Sequence, residues 1–337
     1  MSRIAILGSG SWGTALAYTF SKSNDIVLWS YLESETEDLI KFNENKLFLP
    51  GIILPKNIKF TSDIKKAVMG AELVIFAVPS FAMRITAHKI SDVFDVKNQI
   101  AICVSKGMED ETLMTLTEVI EDELPKEAVV CALSGPTHAE EVSRDIPTTI
   151  VAACKDIRYA ERVQDICMNE YFRIYTSTDT RGVELGGTIK NVIALCAGIS
   201  DGIGYGDNTK AALMTRGMFE IAKLGVLMGG KYETFYGLSG MGDLIVTCTS
   251  MHSRNRRAGI LIGQGMPVSE ALESVRMVVE GVKCLKAVKK ASEKHGVEMP
   301  IINEAYRIIY ENEDPKRSVT NLMGRMKKHE HEGGLYS

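Results

Sequence analysis

Several short clusters combine lysine, aspartate, arginine and asparagine with glycine, and each stands beside apolar sequence. They are Ser105-Lys106-Gly107, Ser134-Gly135-Pro136-Thr137, Gly186-Gly187-Thr188-Ile189-Lys190-Asn191, and Gly240-Met241-Gly242-Asp243 followed by Ser253-Arg254-Asn255. A lysine on a buried helix face can act as a general base near neutral pH, because burial disfavours its charged form. Arginine, asparagine and the free amides of a helix N-terminus bind phosphate or carboxylate groups. Together the clusters predict proton transfer beside a bound anion.

Each cluster alone also has a structural explanation. Lys106 follows an apolar strand, where a surface lysine is common, and Lys190 can extend its ammonium group from a helix to solvent. Arg254 falls in the first turn of a helix that Ser253 is expected to cap, where positive charge opposes the helix dipole. A purely structural role is therefore less favourable for Arg254, and the co-occurrence of the clusters favours function.

The segment Gly8-Ser9-Gly10-Ser11-Trp12-Gly13 follows a short apolar strand and opens a helix. In such a turn Gly8 permits the sharp change of direction, Gly10 lets a pyrophosphate approach the backbone, and Gly13 lets the helix pack against the strand. The helix N-terminus adds free N–H groups and a partial positive charge. In this strand–turn–helix context the motif predicts a dinucleotide site, and hence a dinucleotide-dependent oxidoreductase.

The end of the second strand usually selects the cofactor, because an acidic residue there binds the ribose of NAD and a basic one accommodates the phosphate of NADP. This chain reads Trp29-Ser30-Tyr31-Leu32-Glu33, with neither charge at the expected place. If Glu33 reached back it would favour NAD, but an exposed residue at the start of a helix explains it better. The choice between NAD and NADP is therefore open.

Two further segments each have one functional and one structural explanation. Val78-Pro79-Ser80 ends the third predicted strand, where it either adjoins the cofactor or simply stops the strand. Glu280, in the apolar segment Val278-Val279-Glu280-Gly281, either binds the nicotinamide amide or starts a helix.

The elements that must position these residues alternate between apolar strands and helices in the first half of the chain. Such runs, apolar on both faces, predict parallel strands covered on each side by helices. Strands are expected at 4–7, 26–29, 73–78, 99–104, 128–133, 148–153 and 172–175, and later helices at 189–199, 210–227 and 269–295. The fold class is therefore α/β. A Rossmann-like doubly wound sheet is expected over residues 1–182, a mainly α-helical substrate-binding domain over 183–330, and a flexible tail over 331–337.

Composition restricts the classes of function. The chain has 337 residues, of which 45% are hydrophobic, and this predicts a globular protein with more than one domain. The net charge of −4 disfavours a nucleic-acid partner. The seven cysteines form no C-x-x-C pair, which favours free thiols in a reducing cytoplasm over disulfides or zinc. No signal peptide and no transmembrane run of about 20 apolar residues is expected.

These motifs together resemble the bacterial NAD(P)-dependent glycerol-3-phosphate dehydrogenases. The residues that carry the resemblance are Gly8-x-Gly10-Ser11-Trp12-Gly13, Ser105-Lys106-Gly107, Ser134-Gly135-Pro136-Thr137, Gly186-Gly187-x-x-Lys190-Asn191, Gly240-x-Gly242-Asp243-Leu244 and Ser253-Arg254-Asn255. The resemblance spans roughly residues 4–325. It implies reversible reduction of dihydroxyacetone phosphate to sn-glycerol 3-phosphate, which feeds phospholipid synthesis.

The resemblance also implies roles for residues. Lys190 would be the general base and Asp243 would orient it, while Lys106 would touch the substrate oxygen near the nicotinamide. The remaining substrate-binding positions would be Gly135, Thr137, Ser253, Arg254 and Asn255, with Arg254 and Asn255 on the phosphate. The cofactor-binding positions would be Gly8, Gly10, Ser11, Trp12, Gly13, Tyr31, Lys106, Ala139, Arg254 and Glu280, and no metal is expected.

One departure lowers the expectation of NADPH preference. Many members of the family carry a histidine or arginine just after the second strand, where this chain has Ser30-Tyr31-Leu32. Two other functions stay open from the sequence: a related dehydrogenase acting on a hydroxy acid or sugar acid, and a non-catalytic dinucleotide sensor. A homodimer is expected for an enzyme of this size.

Overall fold

The computed structural model describes residues 1–275 and 277–330. Its centre is an eight-stranded sheet in the order β3-β2-β1-β4-β5-β6-β7-β8. The strands are β1 (Arg3–Leu7), β2 (Asp25–Trp29), β3 (Lys59–Thr61), β4 (Leu73–Phe76), β5 (Ile100–Cys103), β6 (Val129–Ser134), β7 (Thr148–Ala153) and β8 (Phe172–Ser177). The order reverses at β1 and β4, so the crevice expected of a doubly wound sheet opens at the carboxyl ends of these strands.

Both faces of the sheet are buried because successive side chains of each strand point to opposite sides. Ile4 and Ile6 pack in one apolar cluster, whereas Ala5 and Leu7 pack in another on the opposite face. The helices that cover these faces are α1 (Ser11–Phe20), α2 (Glu33–Phe42), α3 (Ile64–Val68), α4 (Met83–His88), α5 (Leu116–Glu123), α6 (Ala139–Val142) and α7 (Ile157–Cys167). The predicted Rossmann-like architecture is confirmed.

The last two strands run against the others. β6 pairs with β7 antiparallel, and β7 pairs with β8 parallel. The carboxyl end of β8 therefore lies at the edge of the sheet opposite to the crevice. The chain leaves β8 at Ser177 and begins the long helix α8 (Thr180–Ile203), which passes β6 on its way back to the crevice.

The second half of the described chain is helical. Its helices are α8, α9 (Asp207–Leu227), α10 (Tyr232–Phe235), α11 (Asp243–Thr249), α12 (Arg254–Gly263), α13 (Val268–Val275), α14 (Glu280–Lys294), α15 (Pro300–Tyr310) and α16 (Pro315–Met323), with a π-helical turn at Leu238–Gly242 before α11. Most of α8 is buried, and its apolar residues lie in the main cluster of this half. The division into folding units at residue 182 stays a prediction.

The secondary structure differs from the sequence-based expectations at three places. The three-residue strand β3 was not predicted, because a polar edge segment this short has no detectable alternation. The helix predicted over 189–199 begins earlier, at Thr180. The helical segment predicted over 269–295 contains two helices, since Val279 has the non-helical dihedrals φ −96° and ψ 89° and α14 starts after it.

Helix α8 is long and apolar enough to cross a membrane by length and composition, but 94% of its most apolar window is buried inside the protein. This is the pattern of a central helix in a globular core. All seven cysteines are free thiols, and six of them are buried. The tail predicted over 331–337 lies outside the described residues.

Candidate active site

The glycine turn has the geometry expected of a phosphate cradle. Gly8 has φ +120°, and a Cβ there would lie 2.6 Å from the carbonyl oxygen of Ala77. A Cβ on Gly13 would lie 1.9 Å from the carbonyl oxygen of Gly8, so α1 packs directly against the turn. A Cβ on Gly10 would meet nothing within 4 Å, which leaves open space above the backbone. The turn therefore fits the pyrophosphate of a dinucleotide.

The N-terminus of α1 is free to receive that group. Gly10 is the N-cap residue, and among the described residues no side chain caps the helix. The amides of the first turn, which begins at Ser11 and Trp12, point out of an N-terminus that carries partial positive charge. Ser11 and Trp12 line the same cavity as Gly8 and Gly10.

The centre of the site is a buried carboxylate between two lysines. Asp243, at the first position of α11, is 1% exposed. Its Oδ1 lies 2.9 Å from Lys190 Nζ, and its Oδ2 lies 2.6 Å from Lys106 Nζ. Lys190 is only 3% exposed, so it does not extend to solvent. The three residues come from α8, α11 and the end of β5, and each lines the cavity.

Contacts between α8 and the loop after β5 fix this cluster. Thr188 Oγ1 accepts a hydrogen bond from Gly107 N at 3.0 Å and donates one to Gly107 O at 3.1 Å. Lys106 Nζ also donates to the carbonyl oxygen of Gly135, at 3.1 Å. The loops after β5 and β6 are thus joined to the helical half directly beside the lysines.

A threonine completes the cluster. Lys190 Nζ donates to Thr247 Oγ1 at 2.6 Å, and that hydroxyl donates to the carbonyl oxygen of Asp243, also at 2.6 Å. Sequence reasoning missed Thr247. Its spacing of four residues from Asp243 on a helix was the available signal, since positions i and i+4 share a face.

The ionisation of the cluster follows from burial and charge. Burial and the positive charge of Lys106 together lower the pKa of Lys190 to about 8, with burial the larger cause, and Asp243 partly opposes the shift. Burial alone would raise the pKa of Asp243, but Lys106 and Lys190 hold it below its ordinary value. The aspartate is therefore ionised at neutral pH, and Lys190 can both donate and accept a proton there.

The start of α12 lines the same cavity as the cluster. Ser253 is the N-cap, as predicted, and its Oγ accepts a hydrogen bond from Arg256 N at 3.2 Å. Asn255 Nδ2 donates to Asn191 Oδ1 at 2.9 Å, which ties α12 to α8. Within 1–275 and 277–330 the guanidinium of half-buried Arg254 has no hydrogen bond or ion pair, so its donors are available to a ligand.

Helix α12 reaches this position because small residues let it cross α8 closely. A Cβ on Gly198 would lie 2.1 Å from the carbonyl oxygen of Arg256, and one on Gly259 would lie 2.2 Å from that of Leu195. The glycines therefore set how near the start of α12 lies to Lys190 and Asn191.

The loop after β4 meets the helical half through Glu280. Ser80 Oγ donates to Glu280 Oε2 at 2.9 Å, and Glu280 is the first residue of α14. Burial raises the pKa of Glu280, against the effect of its contacts with Ser80. Glu280 therefore starts a helix and also lines the cavity, while its contact with the nicotinamide amide stays a prediction.

One cavity of about 790 Å³ joins the glycine turn, the lysine cluster and the start of α12. Among the predicted site residues, the following line it: Gly8, Gly10, Ser11, Trp12, Tyr31, Lys106, Thr137, Ala139, Lys190, Asp243, Ser253, Arg254, Asn255 and Glu280. Gly13 and Gly135 do not. Gly13 is covered by the backbone of the turn, and Gly135 acts through its carbonyl oxygen on Lys106.

The cavity also contains residues that the sequence did not single out. His138 lines it beside Thr137, and its Nε2 is a buried atom without a partner in the described part of the chain. Burial lowers the pKa of His138, and the charges of Lys190 and Lys106 lower it further. Glu35 lines the opposite end, near Tyr31.

A glycine turn on a parallel sheet and a buried lysine–aspartate pair on facing helices, open to one cavity, are the arrangement of a nicotinamide-dependent dehydrogenase. The chain belongs to the NAD-dependent glycerol-3-phosphate dehydrogenase family. The N-terminal model of that family matches residues 3–160, and its C-terminal model matches residues 179–320.

Individual relatives agree over nearly the whole chain. The glycerol-3-phosphate dehydrogenase [NAD(P)+] of Clostridium acetobutylicum is 52% identical over 332 residues, which cover 98% of this chain and 99% of the relative. That of Fusobacterium nucleatum is 50% identical over 330 residues, covering 97% and 98%. The crystal structure of the Coxiella burnetii glycerol-3-phosphate dehydrogenase superposes with a TM-score of 0.92 at 35% identity, covering 96% of this chain and 99% of that one.

Proposed function

We propose that the protein reversibly reduces dihydroxyacetone phosphate to sn-glycerol 3-phosphate with NAD(P)H, and so supplies phospholipid synthesis. The observation that carries the proposal is the guanidinium of Arg254, unpaired within the described part of the chain, in the same cavity as the buried Lys190–Asp243 pair. A phosphorylated ketone needs both an anion anchor and a nearby proton donor. Membership of the family and the names of the relatives support this substrate.

The residues of the cluster divide the chemistry among them. When bound, the reduced nicotinamide supplies a hydride to C2 of the ketone. Lys190 donates the proton that converts the C2 oxygen to a hydroxyl, and in the reverse reaction its neutral amine takes that proton back. Asp243 and Thr247 hold Lys190 Nζ at 2.9 Å and 2.6 Å, so the donor is fixed in place. Lys106 adds positive charge beside the developing alkoxide.

The anchor acts away from the reacting carbon. Arg254 and the free amides at the start of α12 bind the phosphate, with Asn255 and Ser253 beside them. Binding energy from this remote group orients C2 toward Lys190, which is how a small ketone obtains a productive geometry.

The setting of the enzyme is part of the same proposal. The free, mostly buried thiols support a reducing cytoplasmic compartment. The net charge of −4 supports the absence of a nucleic-acid partner. The homodimer rests on the general preference of enzymes of this size for two-fold assembly.

The direct test follows the absorbance of reduced nicotinamide in the presence of dihydroxyacetone phosphate. Oxidation of the cofactor is expected with this substrate, and much less with dihydroxyacetone or a 2-keto acid, because these lack the phosphate that Arg254 binds. Reduction of the keto acid alone would favour the hydroxy-acid dehydrogenase instead. Tight cofactor binding without turnover on any of the three would favour a dinucleotide sensor.

The two directions of the reaction are expected to have opposite pH dependence. Reduction needs the ammonium form of Lys190, so kcat/KM for dihydroxyacetone phosphate falls as pH rises through about 8. Oxidation of glycerol 3-phosphate needs the neutral amine, so kcat/KM rises through about 8. Initial rates in both directions above pH ~6.5, where the substrate phosphate is already doubly charged, measure these midpoints. Equal slopes in both directions would exclude Lys190 as the titrating group.

A further inference from the structure

An acidic side chain occupies the end of β2 although no acidic residue follows that strand directly. Glu35, in the first turn of α2, folds back so that its Oε2 accepts a hydrogen bond from Ser30 Oγ at 2.6 Å and from Ser9 Oγ at 3.3 Å. The two serine hydroxyls also lie 2.7 Å apart. Glu33, which the sequence offered for this role, is exposed and does not line the cavity.

This carboxylate lies beside the region where the adenine ribose of a dinucleotide is expected to bind. Ser9 belongs to the glycine turn and Ser30 is the first residue after β2, and the ribose of a dinucleotide binds between these two segments. Glu35 lines the cavity together with Gly10 and Tyr31. Within 1–275 and 277–330, no lysine, arginine or histidine nitrogen lies within 4.0 Å of the Glu35 carboxylate, so its negative charge is not neutralised by an ion pair.

A competing charge lies nearby. Lys89 also lines the cavity, and its Nζ is 5.0 Å from the centre of the Tyr31 ring. A lysine there would attract the 2′-phosphate of NADPH. Lys89 is exposed, however, and water screens its charge. Glu35 is half-buried and held by two hydroxyls, so its effect on a bound ribose is the stronger one.

We propose that Glu35 makes NADH the preferred cofactor of this enzyme, by accepting hydrogen bonds from the adenine-ribose hydroxyls and repelling a 2′-phosphate. The inference deepens the proposed function, since it names which nicotinamide the dehydrogenase uses. The carboxylate binds the ribose as the acidic residue that usually ends the second strand does, although Glu35 belongs to the next helix.

The test compares the dissociation constants of NADH and NADPH, measured by nicotinamide fluorescence without substrate. The wild type is expected to bind NADH about tenfold or more tightly than NADPH, and Glu35→Gln to reduce that ratio about tenfold or more, as the loss of a charged hydrogen bond implies. Glu35→Ala, which leaves the Ser9–Ser30 contact intact, should act in the same direction. Glu33→Gln is the matched control, because it removes a charge from the same helical turn, and it should leave the ratio unchanged.

Two outcomes would overturn the inference: tighter binding of NADPH by the wild type, or a ratio that Glu35→Gln leaves unchanged. The catalytic proposal fails separately. If the NADH preference and its dependence on Glu35 are observed while dihydroxyacetone phosphate is not reduced, the role of Glu35 stands and the substrate is wrong.

Discussion

Replacing Lys190 by methionine is expected to lower kcat by about a thousandfold or more, since general acid–base catalysis contributes roughly 10²–10⁴-fold. Methionine has a similar length and no charge, and it fits a position that is 3% exposed. It cannot donate or accept the substrate proton. The dissociation constant of the reduced cofactor should stay within about threefold of the wild type, because the glycine turn does not contact Lys190 and this difference is under ~1 kcal/mol. Initial rates and fluorescence titration measure the two quantities.

Lys155→Met is a suitable control for that experiment. Lys155 also forms an ion pair, with Glu121 at 2.7 Å, but it lies outside the cavity. The control should keep both turnover and cofactor binding. Near-normal turnover in Lys190→Met would remove Lys190 from the mechanism. Joint loss of turnover and cofactor binding would instead indicate a general collapse of the site.

The substitution Asp243→Asn is expected to have the second-largest effect. It keeps the shape of the side chain but leaves Lys106 and Lys190 facing each other without a counter-ion. In the wild type, the negative charge of Asp243 opposes the effect of burial on Lys190. Without that charge, the pKa of Lys190 should fall further. A unit charge at this range shifts a pKa by about one unit or more, so the pH midpoint for reduction should move down by that amount. Loss of one partner from a buried pair also costs about 3–5 kcal/mol of folding stability.

The shift in the pH midpoint for reduction distinguishes a catalytic role of Asp243 from a purely stabilising one. Asp201 is the matched control, because it also joins two cations, Lys210 and Arg256, each at 2.8 Å. Asp201→Asn should lower the melting temperature and leave the pH midpoint unchanged. If Asp243→Asn destabilised the protein but kept the wild-type midpoint, Asp243 would be a structural partner only.

The local features of the site were predictable from sequence because each depends on neighbouring residues. Gly8 and Gly13 follow a strand and open a helix, and their close contacts are those the motif predicts. Ser253 caps its helix for the same reason, with the capped amide three residues along. Short apolar segments likewise predicted most of the strands of the sheet.

Features that depend on distant segments were not predictable in this way. The meeting of Lys190 with Asp243 followed from the family resemblance, since no local pattern joins α8 to α11. Glu35 was missed as a cofactor-binding residue because it belongs to the first turn of α2 and only the fold brings it back to the end of β2. Sequence position alone favoured Glu33. The helix start at Glu280 was one of two explanations offered for that residue, because helical periodicity continues through the segment, and a hydrogen bond to Ser80 accompanies that start.

Because β7 and β8 run in the reverse direction, the number of residues between the start of α8 and Lys190 determines where the lysine lies. Because β8 ends at the far edge of the sheet, the first ten residues of α8 must carry the chain about 15 Å, at ~1.5 Å per residue, before Lys190 reaches the crevice. A single insertion between Thr180 and Lys190 would turn the lysine by about 100° around the helix axis. This stretch should therefore accept almost no change of length during evolution.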